Sequence, residues 1–191
     1  MVRPVLLSLV ALVALAACGG NPPMYLLPSP AAGPAYGPGT SLAVADIGLP
    51  AYAEANEVAM LSGPETIDLD RSALWADTPR RALTRHLVAA LGARLGSRVL
   101  AEPWPGFDPP ALRLEVAADR IVGAPGGVVQ FTGQYVLVAP GDGTIFASDR
   151  FAISVPVEGE DYPALLAAHA VAIERLADQV AARITGRRPA A

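Results

Sequence analysis

The sequence predicts an α+β fold, in which a single domain combines a mixed, mostly antiparallel sheet with two packed amphipathic helices. Two long stretches repeat apolar residues at helical spacing, and three runs alternate apolar and polar residues, as the strands of a three-strand meander do. The chain has 191 residues, of which 52% are apolar and 17% are charged, which is enough for one ordinary core. The sequence shows no internal repeat and no second domain.

The N-terminal segment has the pattern of a bacterial signal peptide. Arg3 provides a positive start, and the thirteen residues 5–17 are apolar except for Ser8. A membrane-spanning helix needs about 20 apolar residues, so this stretch is too short to be one. We therefore interpret residues 1–17 as a removable lipoprotein signal peptide.

Cys18 follows this segment directly. The sequence Leu15-Ala16-Ala17-Cys18 resembles the bacterial lipoprotein processing box, which implies that Cys18 becomes the mature N-terminus and carries acyl chains such as palmitate. Cys18 is the only cysteine, so it cannot form an internal disulfide. Several acyl chains, each contributing about 0.8 kcal/mol per buried CH₂, anchor a protein durably. The alternative is an ordinary secretory signal with an incidental cysteine.

Gly19 bears on which membrane holds the anchor. Enteric bacteria retain lipoproteins with Asp at this place in the inner membrane, so the resemblance implies the periplasmic face of the outer membrane, with the inner membrane as the alternative. Residues 18–40 are predicted to be the lipidated Cys and a tether, because they are rich in Pro and Gly, nearly uncharged and without periodicity. Such a chain favours an extended, mobile spacer, which could hold the domain several nanometres off the membrane when fully extended, although a flexible chain usually spans less. Tyr25 and Leu26 either dock on a surface or stay solvated.

The predicted folded domain covers residues 41–186, followed by a tail at 187–191. A strand over 42–47 ends at Gly48-Leu49-Pro50, and a second strand is predicted over 57–61. Thr78 and Pro79 are typical of a helix start, and Leu recurs at every fourth position until Gly96, a typical C-cap. Another strand begins at Val99-Leu100, which predicts a crossover connection through the helix.

The C-terminal half predicts a meander and a last helix. The alternating runs lie near residues 112–116, 129–137 and 145–155, and turn sequences at 124–127 and 140–143 favour antiparallel hairpins between them. Asp161 is the predicted N-cap of a helix that carries one apolar stripe and ends at Gly186.

Charge and residue types exclude several functions. The chain has 14 arginines, no lysine and 18 acidic residues, for a formal charge of −4, so it lacks the basic stripe that nucleic acid requires. With two histidines and one cysteine, we predict no catalytic residue, no cofactor and no metal site. His86 is expected on the arginine-rich surface of the first helix, and His169 packed in the last one. Trp75 and Trp104 are predicted to pack in the hydrophobic core rather than to bind a ligand.

The start of the first helix is the candidate partner-binding site. Arg80, Arg81 and Arg85 cluster beside Asp77, with Trp75 just before them. A charge cluster of this kind forms either a partner surface or a solvated helix face. A periplasmic enzyme remains the rival class, and it would need His169 to meet an acid and a hydroxyl in one cleft.

Two short motifs carry a family resemblance. Leu49-Pro50-Ala51-Tyr52 matches a Leu-Pro-x-Tyr segment, and Trp75-Ala76-Asp77-Thr78-Pro79 matches a Trp-Ala-Glu-Pro-Leu segment with one inserted residue and Asp for Glu. With the processing box, the Pro-rich tether, the meander and a last helix led by Tyr162, this order resembles the ABC-type transport auxiliary lipoproteins, the family of PqiC and YmbA. The similarity covers nearly all of the mature chain.

The resemblance implies a subunit without enzymatic activity. It would serve an MCE-type system, in which an ABC permease and ATPase and an MCE-domain protein move lipids between membranes. Such a path must be sheltered, because each exposed CH₂ costs about 0.8 kcal/mol in water. The subunit would dock the MCE protein at the outer membrane, with a homo-oligomeric ring as one form of docking. The alternative is a structural or assembly lipoprotein of the envelope, unrelated to transport.

Overall fold

The structure is a computed structural model that describes residues 21–37 and 40–187. The predicted signal peptide, Cys18 and residues 188–191 of the predicted tail lie outside the described residues. The strands are β1 (Met24–Tyr25), β2 (Leu42–Val44), β3 (Glu57–Leu61), β4 (Ile67–Trp75), β5 (Val99–Ala101), β6 (Leu112–Val122), β7 (Val128–Ala139) and β8 (Thr144–Pro156). The helices are α1 (Pro79–Leu95) and α2 (Tyr162–Thr185), and a 3-10 turn covers Ala51–Glu54.

The main sheet has five strands in the order β5-β2-β6-β7-β8. β2 lies parallel to β5, as the predicted crossover through the helix requires, and it is also parallel to β6. β6, β7 and β8 form the predicted antiparallel meander, with their turns at the two Pro- and Gly-containing segments. The α+β class, with a mixed sheet and two helices, is confirmed.

A second sheet has the order β1-β4-β3. It joins the main sheet where the Leu61 N–H donates to the Gly123 carbonyl oxygen at 2.9 Å. The sequence predicts β3 but not β4, whose alternation of apolar and polar residues covers only residues 67–70 and is then interrupted by Arg71 and Ser72. Only Ala73 and Trp75 at its end are buried. Pairing with β3, rather than a pattern of its own, therefore defines this strand.

The helix ends follow the sequence signals. Gly96 and Gly186 adopt left-handed backbone angles, with φ of 56° and 65°, and end α1 and α2. The Asp161 carboxylate accepts the Ala164 N–H at 2.8 Å, as an N-cap does. Thr78 makes no such bond at the start of α1. Within the described part of the chain, neither helix combines the length and the apolar character that crossing a bilayer requires.

The hydrophobic core lies between the two helices and one face of the main sheet. Phe131 is fully buried there and meets Phe151 with its edge, at 4.6 Å between ring centroids. Trp75 is 9% exposed and also belongs to this core. Trp104 does not, so its prediction as a core residue is wrong. It lies half-buried in the loop between β5 and β6, where Pro residues on both sides keep the chain at the surface and its Nε1 donates to the Asp108 carbonyl oxygen.

Residues 23–36, which we call the N-terminal strap, lie against the folded domain. The Pro23 carbonyl oxygen accepts the Leu74 N–H at 3.1 Å, and the Tyr25 carbonyl oxygen accepts the Ala76 N–H at 2.9 Å. The expectation of a mobile spacer over this stretch is therefore wrong. Its Pro-rich backbone is extended, as predicted, but an extended backbone also offers free carbonyl groups to a neighbouring strand.

Apolar side chains hold the strap as well. The Tyr25 ring packs on the Tyr162 ring of α2, at 5.4 Å between centroids, and Leu27 packs on the core. At the far end of the strap, Tyr36 is buried and its N–H donates to the Arg94 carbonyl oxygen at 2.8 Å. The strap thus runs along α1 and α2 from the start of both helices toward the end of α1.

Candidate functional site

Glu174 of α2 joins both helices and the strap. Its Oε1 lies 3.2 Å from Nε2 of the buried His86 on α1, and the same oxygen accepts the Ala31 N–H of the strap at 3.0 Å. His86 is therefore not on the arginine-rich surface where the sequence analysis placed it. The strap and α2 cover its side of α1.

Arg94 and Asp178 form a second link between the helices. The Arg94 side chain is only 2% exposed, and its Nε donates to Asp178 Oδ1 at 2.6 Å, while its Nη1 donates to the Ala90 carbonyl oxygen at 3.3 Å. The strap backbone covers the guanidinium at Gly33, where a Cβ atom would come within 2.6 Å of Arg94 Cζ. Strap position and ion pair are thus coupled by direct contact.

The spacing of these four residues in the sequence is consistent with the two contacts between the helices. His86 and Arg94 are eight residues apart, and Glu174 and Asp178 are four apart, so each pair lies along one side of its helix. The two stripes have complementary hydrogen-bonding groups. This complementarity indicates a helix–helix contact only when the two helices are already known to be neighbours.

The predicted arginine cluster lies together on the outer side of α1. Arg80, Arg81 and Arg85 are all exposed. Arg80 pairs with Glu54, and Arg81 Nε donates to Asp77 Oδ2 at 2.9 Å. Within the described residues, Arg85 makes no ion pair.

Two open grooves flank Arg85. The first, of about 690 Å³, is lined by the three arginines together with polar residues of neighbouring loops. The second, of about 320 Å³, lies between α1 and strap residues 25–30, and the buried Trp75 contributes to its lining. Trp75 therefore supports the second groove from within the core, whereas the first groove presents the carboxylates of Asp46 and Glu102 as well as the three guanidinium groups. An exposed row of guanidinium groups is suited to binding carboxylates or phosphates.

The second histidine, His169, lies inside the hydrophobic core. The His169 Nδ1 lies 2.8 Å from the Leu165 carbonyl oxygen, and its ring meets Trp75 edge-on at 6.0 Å between centroids. The imidazole is thus a packed core group, as the sequence predicts. Among residues 21–37 and 40–187, no three His, Cys, Asp or Glu side chains converge as a metal site would require.

The short sequence motifs serve the fold. The Tyr52 hydroxyl oxygen accepts the Ile121 N–H at 3.1 Å, so the 3-10 turn that follows Pro50 is tied to the far end of β6. Thr84 on α1 is buried, and its Oγ1 accepts the Ile47 N–H at 3.0 Å. Together these contacts fix α1, and with it the arginine cluster, against the main sheet.

A comparison with protein-family models gives a match over residues 25–181, and that model describes the ABC-type transport auxiliary lipoprotein component. The chain belongs to this family. The match begins at Tyr25, so most of the strap is part of the family's domain. The chain is thus an auxiliary lipoprotein component of ABC-type transport, membrane-associated in the envelope, and its family is not one of enzymes.

Solved structures agree on the fold of the auxiliary lipoprotein. An uncharacterized protein matches with a TM-score of 0.71 and 21% identity, over 86% of this chain and 99% of its own. A Xanthomonas campestris protein of the DUF330 family matches with a TM-score of 0.63 and 19% identity, over 86% of this chain and 94% of its own. At these identities the likeness shows the fold alone. A comparison with curated protein sequences gives no match.

The stability of the auxiliary lipoprotein is expected to fall as the pH drops from 7.5 to 5.5. Burial lowers the pKa of His86 below 6.5, and Glu174 offsets this only in part; burial also lowers the pKa of His169. As the pH falls, the histidines of the unfolded chain bind protons more readily than the same histidines in the native protein. Protonation therefore favours unfolding. Each histidine contributes at most about 1.4 kcal/mol per pH unit. Urea unfolding at the two pH values measures the loss.

Carboxylates affect the stability of the protein in a lower pH range than the histidines do. The Tyr162 hydroxyl holds the pKa of Asp70 below 3.8, so that group loses its stabilising effect only at lower pH. Because the chain has two histidines, NMR titration of two imidazole signals assigns the transition directly. A free energy of unfolding that stays constant or rises between pH 7.5 and 5.5 would contradict the assignment.

Proposed function

We propose that this auxiliary lipoprotein is anchored to the periplasmic face of the outer membrane by acyl chains on Cys18 and docks the MCE-domain protein of an intermembrane lipid transport system. The ABC permease and ATPase of that system lie in the inner membrane. Family membership carries the proposal, because the family serves ABC-type transport. Gly19 after Cys18 supports the outer membrane rather than the inner one.

The arginine cluster is the proposed docking surface. Arg80, Arg81 and Arg85 are exposed on one rigid helix, and the open groove beside them leaves room for acidic side chains of a partner. Trp75 acts indirectly in this proposal, since it is buried in the core and lines the neighbouring groove between α1 and the strap. Anchoring keeps the domain near its membrane, so that a weak contact suffices, and a homo-oligomeric ring would multiply that contact.

The test is co-purification from solubilised membranes of the native host. We expect wild-type protein to recover the MCE-domain protein and the ABC subunits, and Arg80→Gln/Arg81→Gln/Arg85→Gln to recover at least about fivefold less, as loss of complementary charge predicts. The control Arg71→Gln/Arg98→Gln/Arg150→Gln removes the same charge from other exposed positions and should recover as much as wild type.

Three results would count against the proposal in different ways. If wild-type protein recovers no MCE or ABC subunit and its deletion leaves detergent sensitivity unchanged, a structural or assembly lipoprotein is the better description. If the two triple variants recover partners equally, the docking surface lies elsewhere. If Cys18→Ala still incorporates labelled palmitate and stays with membranes, Cys18 is not the anchor.

A further inference from the structure

The strap places the folded domain close to its membrane. Pro23 is the first strap residue that bonds the domain, through the Leu74 N–H, and it is five residues after Cys18. Five residues span at most about 18 Å in any conformation. The bound part of the chain therefore begins within about 18 Å of the anchor proposed at Cys18, which is less than the several nanometres that a fully extended tether could reach.

Two apolar side chains stand exposed at this point of entry. Met24 and Leu26 are 63% and 76% exposed, whereas Tyr25 and Leu27 between and after them pack on the domain. An extended chain alternates its side chains, so Met24 and Leu26 project from the same side of the strap, and Leu26 also lines the groove between the strap and α1. Both are large, flexible and uncharged, which suits entry into the boundary between lipid headgroups and acyl chains.

One further exposed apolar side chain lies toward this end of the domain, between Asp68 and Asp70 of β4. β1 runs parallel to β4, with Met24 beside Leu74, so the N-terminal end of β1 points toward the beginning of β4. There Leu69 is another exposed large apolar side chain.

Two other exposed apolar side chains, Ile145 and Phe146, lie at the start of β8. The start of β8 pairs with the end of β7, which pairs with the beginning of β6. These two side chains are therefore at the end of the main sheet opposite to Gly123, where the second sheet joins it.

From this geometry we infer that the domain rests on the leaflet that holds Cys18, with Met24 and Leu26 inserted at the lipid surface. We favour lipid over a protein as the partner of these two side chains, because the short chain between the acyl anchor and Pro23 keeps both of them within reach of the leaflet at all times. The inference rests on the acylation of Cys18 in the proposed function. It also orients the molecule, since the beginning of the strap faces lipid and the start of β8 faces the periplasm.

The test uses the full acylated chain in vesicles of phosphatidylethanolamine and phosphatidylglycerol. Acylation consumes the thiol of the only cysteine, so Met24→Cys, Leu26→Cys and Ile145→Cys each provide a single site for an environment-sensitive fluorophore. Ile145 is 64% exposed and matches Met24 as a control. We expect nitroxide-labelled lipids to quench the label at 24 and 26 at least about threefold more than the label at 145.

The possible outcomes separate this inference from the partner proposal. Equal, weak quenching at all three positions overturns it, because the domain then stands away from lipid. A label at 24 that is shielded from water but not quenched also overturns it, since a second copy or a protein partner then covers the strap. Mass spectrometry of the Cys18 peptide comes first: a missing acyl group removes the anchor and this inference together. No MCE or ABC subunit is present, so docking does not affect the result.

Discussion

Asp178→Asn is expected to lower the free energy of unfolding by about 2–3 kcal/mol, because it leaves the buried Arg94 guanidinium without a counter-charge. The Arg94 side chain is 2% exposed, and Gly33 of the strap closes over it, so little water reaches the guanidinium to compensate for the lost charge. Asp178 itself is 28% exposed, so we expect a smaller loss of stability than the breaking of a fully buried ion pair causes. Urea unfolding of the mature chain, followed by circular dichroism, measures the change.

Asp119→Asn is the matched control. Asp119 pairs with Arg150, but both side chains are more than half exposed. Exposed pairs contribute about 0–1 kcal/mol, so the same chemical change there should leave stability nearly unaltered. Equal effects of the two substitutions would show that Arg94 does not depend on Asp178. A loss of strap protection in hydrogen exchange, confined to Asp178→Asn, would further link the ion pair to strap docking.

Gly133→Ala is expected to cost about 3 kcal/mol, although it adds one methyl group. Gly133 lies in the middle of β7, where the neighbouring β6 shifts its register between Ala118 and Arg120. A Cβ atom at this position would lie 2.2 Å from the Ala117 carbonyl oxygen and 2.9 Å from Phe151 Cζ. Since a backbone oxygen cannot move aside like a side chain, the meander must open to accept the methyl group.

The matched control for this change is Gly92→Ala on α1. No atom lies within 4 Å of a Cβ built there, and alanine favours a helix over glycine by about 0.5–1 kcal/mol. Thermal unfolding should therefore shift in opposite directions for the two variants. A midpoint for Gly133→Ala at or above the wild-type value would refute the close approach of β6 and β7.

Much of the architecture is accessible from local sequence patterns. The meander, the span of α1 and the caps at Asp161, Gly96 and Gly186 each depend on residues within a few positions of one another, and all agree with the structure. The same is true of β3 and of the packed His169. Local patterns fail where one element lacks a buried face of its own, as in β4, or where prolines keep an aromatic at the surface, as with Trp104.

Local sequence patterns predict only part of the candidate site. The arginine cluster is visible because its three members lie within two turns of one helix. The links beneath the strap are not, since Arg94 and Asp178 are 84 residues apart, and Ala31 and Glu174 are 143 apart. A single sequence carries no periodic signal at such separations.

The amino-acid sequence alone determined the fold class, the order of most elements and the resemblance to auxiliary lipoproteins. Only the tertiary structure decided that the strap, residues 23–36, is bound to the rest of the domain, and that His86 and Arg94 are interior groups. The physical reason is that composition sets which backbone conformations a segment favours, whereas docking depends on complementary surfaces that form only after distant parts of the chain have packed together.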